Sequence, residues 1–465
     1  MTMNEDQKNG WRIAAATAVV LLGLILPAAA AGAQFVPGRL VVGYQPPVAS
    51  PAVEIRSDTG LQVTSAAGAG PVPSEQLLRL PAGQSVLAAA AAVRRVPGIT
   101  YAVPDYLAHA AGAWYPNDPG KAHRRRGWEQ LQWNFLSSAG VNAPEAWANL
   151  IADHDAGARG IKIAILDSGV AYRNWRQFRE SPDFRGTKFV APCDLVDGRL
   201  SHGRCTDPYA LDRDSHGTFV AAEVAETTNN GIGLTGLAYK ASIMPVRVLD
   251  ASGDGDSTTV AEGIRYAVQR GARVINMSLQ FGEGLTASDI PNVISALRYA
   301  NSRKVVVVAA AGNDSSDKVA YPARARTVIS VGATTKDRCL AYYSDSGQGL
   351  DLVAPGGGDD ASDVRDPDCH ANRNLPDIYQ MTFRRVGHPG AFGLPGSWFG
   401  TSMAAPEVSA AAAMVIASGV IGRHPTPQAV LARLEQTATP LGGTAPNSTY
   451  GFGLLNIGAA TSPSS

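Results

Sequence analysis

Three segments each place a reactive side chain at the point where a strand gives way to a loop or a helix. Asp167 follows the apolar run Ile161–Leu166, His216 opens an apolar helix, and Ser402 lies within Gly400–Pro406. A serine hydroxyl is a weak nucleophile, so it needs a base to take its proton and a third group to orient that base. An aspartate, a histidine and a serine in these settings could supply those roles in nucleophilic acyl transfer.

Each residue also has a plainer interpretation. An aspartate after a strand often forms a turn, and Ser215 or Ser402 could simply cap a helix. Histidine is a poor cap, however, and the neighbouring Gly217 leaves room for another group to approach the ring. Ser402 stands at a helix N-terminus, where the helix dipole favours a developing negative charge. We expect Pro406 to fall near the first turn of that helix, where its missing N–H costs little.

A fourth candidate is Asn313, which ends the strand that begins at Val305 on a glycine turn. Its amide could complete an oxyanion hole with the backbone N–H of Ser402. Taken alone, a Gly-Asn pair after a strand is usually only a turn.

The elements that must position these residues alternate between apolar strands and helices. Continuous apolar strands joined by helical crossovers predict a parallel sheet covered on both faces, with its site at the carboxyl edge. The predicted strands are Ile161–Leu166, Ser242–Val248, Val274–Leu279, Val305–Ala309 and Val328–Val331, and the predicted helices are His216–Thr227, Ser257–Arg270, Ala287–Ser302, Ser402–Ser418 and Thr426–Thr437.

Residues 35–113 read as a separate, small α+β unit. Strands are predicted at Arg39–Tyr44, Leu77–Leu80 and Ile99–Val103, with a helix at Ser85–Val96 and a loose loop over Gln45–Pro73.

The first residues favour export. Lys8 and Arg12 precede the apolar run Ile13–Leu26, and the small residues Ala31–Ala33 follow, which is the layout of a signal peptide cleaved near Ala33. An uncleaved anchor is the alternative, although the run is short for the roughly 20 residues that span a bilayer.

The charge balance and the cysteine content argue against several classes of protein. The chain has 40 basic and 40 acidic residues, so its charge does not indicate nucleic acid or an anionic membrane as a partner. Four cysteines without a Cys-x-x-Cys pair argue against zinc and fit two disulfides in an oxidising compartment. We favour Cys193–Cys205 and Cys339–Cys369, although four cysteines allow three pairings.

The order Asp, His, Ser resembles that of the subtilase superfamily, and the resemblance covers residues 114–457. Four motifs carry it: Asp167–Gly169, His216–Thr218, Ala310–Asn313 and Gly400–Pro406. The resemblance implies a subtilisin-like α/β fold with about seven parallel strands, and a secreted serine endopeptidase acting through an acyl-enzyme. It also implies that Asp167 orients the imidazole, His216 is the general base and acid, Ser402 attacks, and Asn313 stabilises the oxyanion.

The segment Val96–Tyr106 looks like the end of a subtilase propeptide, which is both a folding chaperone and an inhibitor. The implied organisation is a signal peptide at 1–33, a propeptide at 34–113 and a catalytic domain at 114–465. We expect autocatalytic cleavage around His109–Trp114, because Tyr115–Pro119 resembles the mature start of thermitase-like and proteobacterial extracellular members. The expected partners are protein and peptide substrates and the chain's own propeptide, without stable membrane association after signal cleavage; a periplasmic location stays open.

A structural calcium ion follows from the same resemblance. The segment Thr228–Leu234 resembles the subtilase calcium loop, and calcium accepts six to eight oxygen ligands, including carbonyls. The alternative is an uncharged turn built on Asn-Gly. The implied ligands are Asp118, Asp183, Thr228, Asn230, Ile232 and Leu234.

Substrate binding is implied at two edges. Substrate would pair as an added strand along a glycine-bearing edge and insert a side chain into a primary pocket, a mode that reads backbone and predicts broad endopeptidase activity. The implied edge is Gly253, Asp254 and Gly255, and the implied pocket residues are Ser278, Leu279, Gln280, Ala310 and Gly312.

The chain departs from the family pattern near the site. Where members usually continue Thr-His-Val-Ala-Gly-Thr, this chain has Thr218–Glu223, with added bulk or charge. Glu407 stands where histidine is common, Gln280 replaces the customary pocket glycine, and the insert Asp359–Gly396 is longer than in the simplest members.

Two other functions remain open. A catalytically impaired subtilase homologue could act as a binding protein, although the intact set of four motifs argues against it. A nucleotide-binding α/β protein would share the fold class, but no Gly-x-Gly-x-x-Gly follows a first strand.

Overall fold

The computed structural model describes residues 35–45, 50–65, 74–81, 83–106, 112–362, 366 and 369–462. The chain divides into two compact units, Met1–Ala110 and Ala111–Ser465. The predicted signal peptide and half of the predicted cleavage segment, residues 109–111, lie outside the described residues, so both stay predictions.

The first unit is an antiparallel sheet with two helices, as expected for a small α+β domain. The sheet order is β2-β3-β1-β4, and its inner face buries Leu40, Val42 and Leu78 against the two helices. The elements are β1 (Phe35–Tyr44), α1 (Pro51–Thr59), β2 (Thr64–Ser65), β3 (Glu75–Arg79), α2 (Val86–Val93) and β4 (Ile99–Tyr106).

The prediction of a loose loop over Gln45–Pro73 was wrong, because α1 lies within it. Pro51 occupies the start of the helix, where its fixed φ is already helical and its missing N–H costs nothing. Gly60 ends the helix in the left-handed conformation, and Ile55 is fully buried. Proline and glycine mark the two ends of a helix here, whereas we interpreted both as loop residues.

The second unit is built on a larger parallel sheet. Its strands are β5 (Lys162–Asp167), β6 (Lys188–Phe189), β7 (Cys193–Asp194), β8 (Leu200–Ser201), β9 (Arg204–Cys205), β10 (Ser242–Arg247), β11 (Val274–Met277), β12 (Val306–Ala310), β13 (Ile329–Thr334), β14 (Leu352–Pro355), β15 (Thr382–Phe383) and β16 (Phe392–Gly393). Its helices are α3 (Ala143–Ala152), α4 (His216–Ala225), α5 (Ser257–Gln269), α6 (Pro291–Ser302), α7 (Thr401–Ser418), α8 (Pro427–Thr437) and α9 (Ile457–Thr461).

Within the described residues the main sheet runs β14-β13-β12-β11-β5-β10-β6, and β7 also pairs with β10. All of these pairings are parallel. The predicted strands and helices all form, with ends that differ from the prediction by no more than four residues. The subtilisin-like α/β fold expected from the sequence is therefore confirmed.

The two faces of the sheet are covered by different helices. On β5, Ile163 and Ile165 pack into the core that contains α3, α4 and α7, whereas Ala164 and Leu166 pack into the core that contains α5 and α6. Alternate residues of a strand point to opposite faces, so a strand covered on both sides is apolar throughout. The helices α4 and α7, which carry His216 and Ser402 in their first turns, thus lie on the same face.

Both disulfides join the cysteines that we favoured, Cys193 to Cys205 and Cys339 to Cys369. No helix in the described part of the chain is long and apolar enough to cross a membrane.

Candidate active site

The candidate catalytic residues leave the carboxyl ends of neighbouring strands. Asp167 is the last residue of β5, and Asn313 is the third residue after the end of β12. Ser278 follows β11, which lies between β5 and β12 in the sheet. This edge is where open α/β sheets form their binding crevices.

Asp167 and His216 are joined by a short hydrogen bond. The distance from His216 Nδ1 to Asp167 Oδ1 is 2.7 Å, and the Asp167 side chain is fully buried. The same oxygen accepts the backbone N–H of Ser168 at 2.8 Å. A carboxylate on Nδ1 fixes the tautomer that leaves Nε2 free to accept a proton.

The start of α4 is held by polar side chains other than Ser215. The backbone N–H groups of His216, Gly217 and Thr218 donate to Asp214 Oδ2 (2.8 Å), Ser168 Oγ (2.9 Å) and Asp212 Oδ2 (2.9 Å), respectively. Ser215 makes no side-chain cap. These bonds satisfy the first-turn donors that a helix leaves unpaired and so fix the position of the imidazole.

Gly217 is required by the backbone packing beside Asp167. A Cβ at this position would lie 2.1 Å from the carbonyl oxygen of Gly169 and 3.0 Å from Asp167 Oδ1. The group that approaches is therefore the β5 loop itself, and the glycine lets α4 bring His216 against the aspartate.

The electrostatic surroundings of His216 favour its protonated form. Burial lowers its pKa, but the negative charge and hydrogen bond of Asp167, with further contributions from Asp214 and Asp212, outweigh burial and raise the pKa above its ordinary value. The side chain is about a fifth exposed, at 22%. A base that can gain a proton in contact with solvent suits general acid–base catalysis.

Ser402 is the second residue of α7, and the structure corrects our expectation for Pro406. Pro406 is the sixth residue of the helix rather than part of its first turn. Its missing N–H would have donated to the carbonyl oxygen of Ser402, which instead accepts the hydroxyl of Ser278 at 2.8 Å. The side chain of Ser278, in the loop after β11, thereby compensates for the proline and holds the backbone of the candidate nucleophile.

The Ser402 hydroxyl lies in the same cleft as His216. It donates to the carbonyl oxygen of Ser278 at 3.3 Å. Catalytic hydrogen bonds commonly tighten only when substrate is bound, so this arrangement is compatible with transfer of the proton to the imidazole.

Asn313 is oriented by Thr401, the residue before the candidate nucleophile. Asn313 Oδ1 accepts both the backbone N–H and the hydroxyl of Thr401, each at 2.9 Å. Because a backbone N–H can only donate, the oxygen must face Thr401, and Nδ2 is left as the free donor. The orientation of Asn313 by Thr401 was not predicted from the sequence, although Thr401 lies inside the serine motif.

The cleft has a volume of about 510 Å³ and contains most of the predicted substrate-binding residues. They are Gly253, Asp254, Gly255, Ser278, Leu279 and Gln280, together with His216 and Ser402. Ala310 and Gly312 are buried and are not among the residues that line this cleft.

Gln280, in the loop after β11, forms hydrogen bonds with the loop after β12 at one side of this cleft. Its Oε1 accepts the backbone N–H of Asn313 at 2.8 Å, and its Nε2 donates to Asp314 Oδ2 at 2.5 Å. A glycine at this position could make neither bond. The side chain therefore restrains the loop that carries the candidate oxyanion donor.

An aromatic stack lies behind the imidazole and was not anticipated from the sequence. The ring of Phe219 stacks on Trp398 at 4.7 Å between centroids, and Trp398 lies 6.1 Å from the ring of His216. Phe219 occupies the family's customary histidine position, and that departure was the available signal.

The candidate calcium residues also come together. Asp118 accepts the backbone N–H groups of Asn229 (2.8 Å) and Asn230 (3.0 Å), and Asp183 accepts Asn230 Nδ2 (2.8 Å) and the Leu234 N–H (2.9 Å). Both aspartates are fully buried. Burial raises the pKa of Asp118 to about 6 and that of Asp183 to about 7.

Side-chain ligands alone do not form a metal centre there. In the parts of the chain that the structure describes, no three His, Cys, Asp or Glu side chains are arranged to hold a metal ion. Asn230 turns its Nδ2 toward Asp183, while its Oδ1 accepts the N–H of Ile232 at 2.7 Å. Any cation at this loop would thus depend on backbone carbonyls as well as carboxylates.

Two family models match the chain. The subtilase family matches residues 158–453, and the fervidolysin N-terminal prodomain matches residues 26–105. The two matches fall on the larger and the smaller unit, respectively.

Individual proteins give the same result. Subtilisin Savinase from Lederbergia lenta is 34% identical over 311 residues, which are 65% of this chain and 91% of that protein. The thermophilic serine proteinase of Bacillus sp. (strain AK1) is 32% identical over 367 residues, which are 79% and 74% of the two chains. Among solved structures, proteases from Pseudoalteromonas arctica PAMC 21717 align with a TM-score of 0.58 at 28% identity, covering 75% of this chain and 99% of that one.

Proposed function

The chain belongs to the subtilase family of serine endopeptidases, and we propose that Ser402, His216 and Asp167 are its catalytic triad. The observation that carries the proposal is the 2.7 Å bond between Asp167 and His216 Nδ1, in a cleft that also contains Ser402. This is the orienting acid, base and nucleophile that a serine hydrolase requires.

In the proposed reaction, His216 Nε2 takes the proton of Ser402 Oγ as that oxygen attacks the carbonyl carbon of the scissile peptide. The C–N bond then breaks, and His216 returns the proton to the leaving amine. Water subsequently cleaves the acyl-enzyme by the same proton transfers in reverse order. Asp167 stays ionised and stabilises the imidazolium that forms in each half of the reaction.

The oxyanion would be stabilised by Asn313 Nδ2 and the backbone N–H of Ser402. Thr401 supports this role because it occupies Asn313 Oδ1 and so directs the amide nitrogen away from the helix. A fixed donor is effective because it requires no reorganisation when charge develops on the substrate oxygen.

We further propose that the enzyme is exported and made as a zymogen that removes its own N-terminal segment. The prodomain match over residues 26–105 supports an inhibitory propeptide. The signal-peptide pattern at 1–33, the two disulfides and the family membership support export. Protein substrates would pair with the backbone of Gly253–Gly255, which lies along the cleft.

A structural calcium ion fits the loop Thr228–Leu234. Asp118, Asp183 and Glu226 are all fully buried, and neither carboxylate oxygen of Glu226 accepts a hydrogen bond from an N–H or O–H donor among the described residues. A Cβ at Gly233 would lie 2.0 Å from Asp183 Oδ2, so only glycine leaves this space open.

Burying an ionised carboxylate lowers the stability of the fold unless a proton or a cation compensates its charge. We propose that Asp118, Asp183, the Asn230 amide oxygen and the carbonyls of Thr228, Ile232 and Leu234 hold the ion. Bound calcium would supply positive charge that stabilises the loop.

The proposed triad is tested by replacing Ser402 with alanine in the full chain. We expect Ser402→Ala to remain folded and unprocessed and to lose casein hydrolysis by roughly 10⁶-fold, the loss known for the nucleophile of subtilisin, a relative of this chain. Ser418→Ala, at the other end of the same helix, is the control and should mature normally. Unaided maturation of the Ser402→Ala protein would show that the nucleophile is another residue.

A further inference from the structure

Two of the departures from the family pattern meet in the interior. Glu223 is on α4, seven residues after His216, and Glu407 is on α7, five residues after Ser402. Both side chains are fully buried, and the two carboxyl groups are within hydrogen-bonding distance of each other. The helices that carry the proposed base and nucleophile in their first turns are therefore in direct polar contact between one and two turns further along.

A single amide bridges the two carboxyl groups. Asn134 Nδ2 donates to Glu407 Oε1 at 2.7 Å and to Glu223 Oε1 at 3.2 Å. Three further acceptors remain: the Oε2 atoms of both glutamates and Oδ1 of Asn134 are buried and have no donor among the described residues.

A proton on one of the carboxyl groups would supply a missing donor from within the pair. An ionised carboxylate accepts hydrogen bonds but donates none, whereas a protonated one has an O–H group. One O–H on either glutamate would satisfy two of the three acceptor atoms by joining them. Two ionised carboxylates would instead leave like charges in contact, in a place that water does not reach.

We propose that Glu223 and Glu407 share a proton that holds α4 and α7 together and thereby positions His216 and Ser402. They are positioning residues, because neither touches the cleft. This inference depends on the proposed triad and adds a pH limit to it.

The surroundings of the pair favour the protonated form. Burial is the largest cause that raises the pKa of each glutamate well above its ordinary value. The next carboxylate along the chain is Glu226, which directly follows α4 and is also buried, and Asn134 is the polar group from the turn packed against both helices. No lysine, arginine or histidine among the described residues contributes to the pKa of either glutamate.

The pair and the triad predict opposite behaviour at alkaline pH. His216 becomes neutral as pH rises and is then the active base, so the triad alone predicts a plateau. Loss of the shared proton would place two anions between the helices, so the pair predicts a fall of about tenfold per pH unit beyond its titration. Stability should already decline as pH rises from the ordinary carboxyl pKa to the raised pKa of the pair, because over that interval the folded chain holds a proton that the unfolded chain has released.

The test is the pH profile of kcat/KM for the matured full chain, measured in saturating calcium from neutral pH upward. Glu223→Gln and Glu407→Gln each place a permanent N–H donor where the shared proton lies and keep one negative charge. We expect wild type to lose at least about tenfold on the alkaline side and each variant to lose less than about threefold. Glu262→Gln on α5 changes a partly exposed glutamate and should match wild type.

A wild-type plateau, or an alkaline fall that both glutamine variants share, would overturn the proposal. If the variants do not fold, the denaturation midpoint of Ser402→Ala decides the question: the proposal requires the midpoint to fall as pH rises, and a constant midpoint contradicts it. If wild type hydrolyses casein at no pH, the proposed function fails instead, whereas the denaturation arm still reports on the pair.

Discussion

The two ends of the helix pair α4 and α7 solve the problem of buried polar groups in different ways. At the outer end, the Asp167 carboxylate meets the imidazole of His216 at 2.7 Å, beside a cleft open to solvent. At the inner end, Glu223 and Glu407 meet each other and share the amide of Asn134. Asp167 has a partner that can become positively charged, whereas Glu223 and Glu407 have only each other and a neutral amide.

The difference separates chemistry from positioning. An acid beside a histidine raises the histidine's pKa and prepares it to exchange a proton with substrate. Burial raises the pKa of both acids at the inner end, and the proton that they retain is not exchanged with substrate. The Asp167–His216 contact should therefore determine the catalytic rate. The Glu223–Glu407 contact should determine the pH range over which α4 and α7 keep their relative position.

The largest effect expected in this comparison comes from the outer end. Asp167→Asn keeps the shape of the side chain but removes the charge and can present an N–H to the histidine, which favours the wrong tautomer. We expect kcat to fall by about 10⁴-fold, as for the equivalent change in other serine-protease triads. The measurement is steady-state hydrolysis of a peptide amide.

Asp214→Asn is the matched control, because it makes the same chemical change two residues before His216. Its side-chain oxygen can still accept the His216 N–H, so we expect less than about tenfold loss. Equal losses in the two variants would mean that Asp167 acts only by holding the local structure.

A smaller effect is expected at the third group of buried carboxylates, Asp118, Asp183 and Glu226, where we propose a cation rather than a proton. Calcium binds the folded loop, so chelation should lower the melting temperature of Ser402→Ala by about 5 °C. Asp183→Asn should reduce this response, and Asp153→Asn, on the surface, should keep it. A melting temperature that chelation leaves unchanged would contradict the calcium proposal.

Most of the fold could be predicted because its strands are continuously apolar and its helices follow them regularly. Element ends were less predictable: α6 begins at Pro291 rather than Ala287, because proline favours the first turn. Helix α1 was missed because its apolar content is low and its Pro and Gly boundaries resemble loop signals.

The site was predictable in its residue types and only partly in its supporting contacts. The bond between Ser278 and the carbonyl freed by Pro406, and the orientation of Asn313 by Thr401, join positions more than 80 residues apart. Nothing in the local pattern indicates such contacts. The two glutamates were visible as departures, but only the crossing of α4 and α7 brings them together.

The most direct test of the account is to find which side chain becomes covalently attached during catalysis. The matured full chain is treated with a fluorophosphonate, and the modified residue is identified by mass spectrometry of its peptides. If Ser402 is the nucleophile, we expect a stoichiometric adduct on Ser402 that appears as activity is lost, and no adduct in Ser402→Ala. Full inactivation with the adduct on another residue, or casein hydrolysis that survives complete labelling of Ser402, would contradict it.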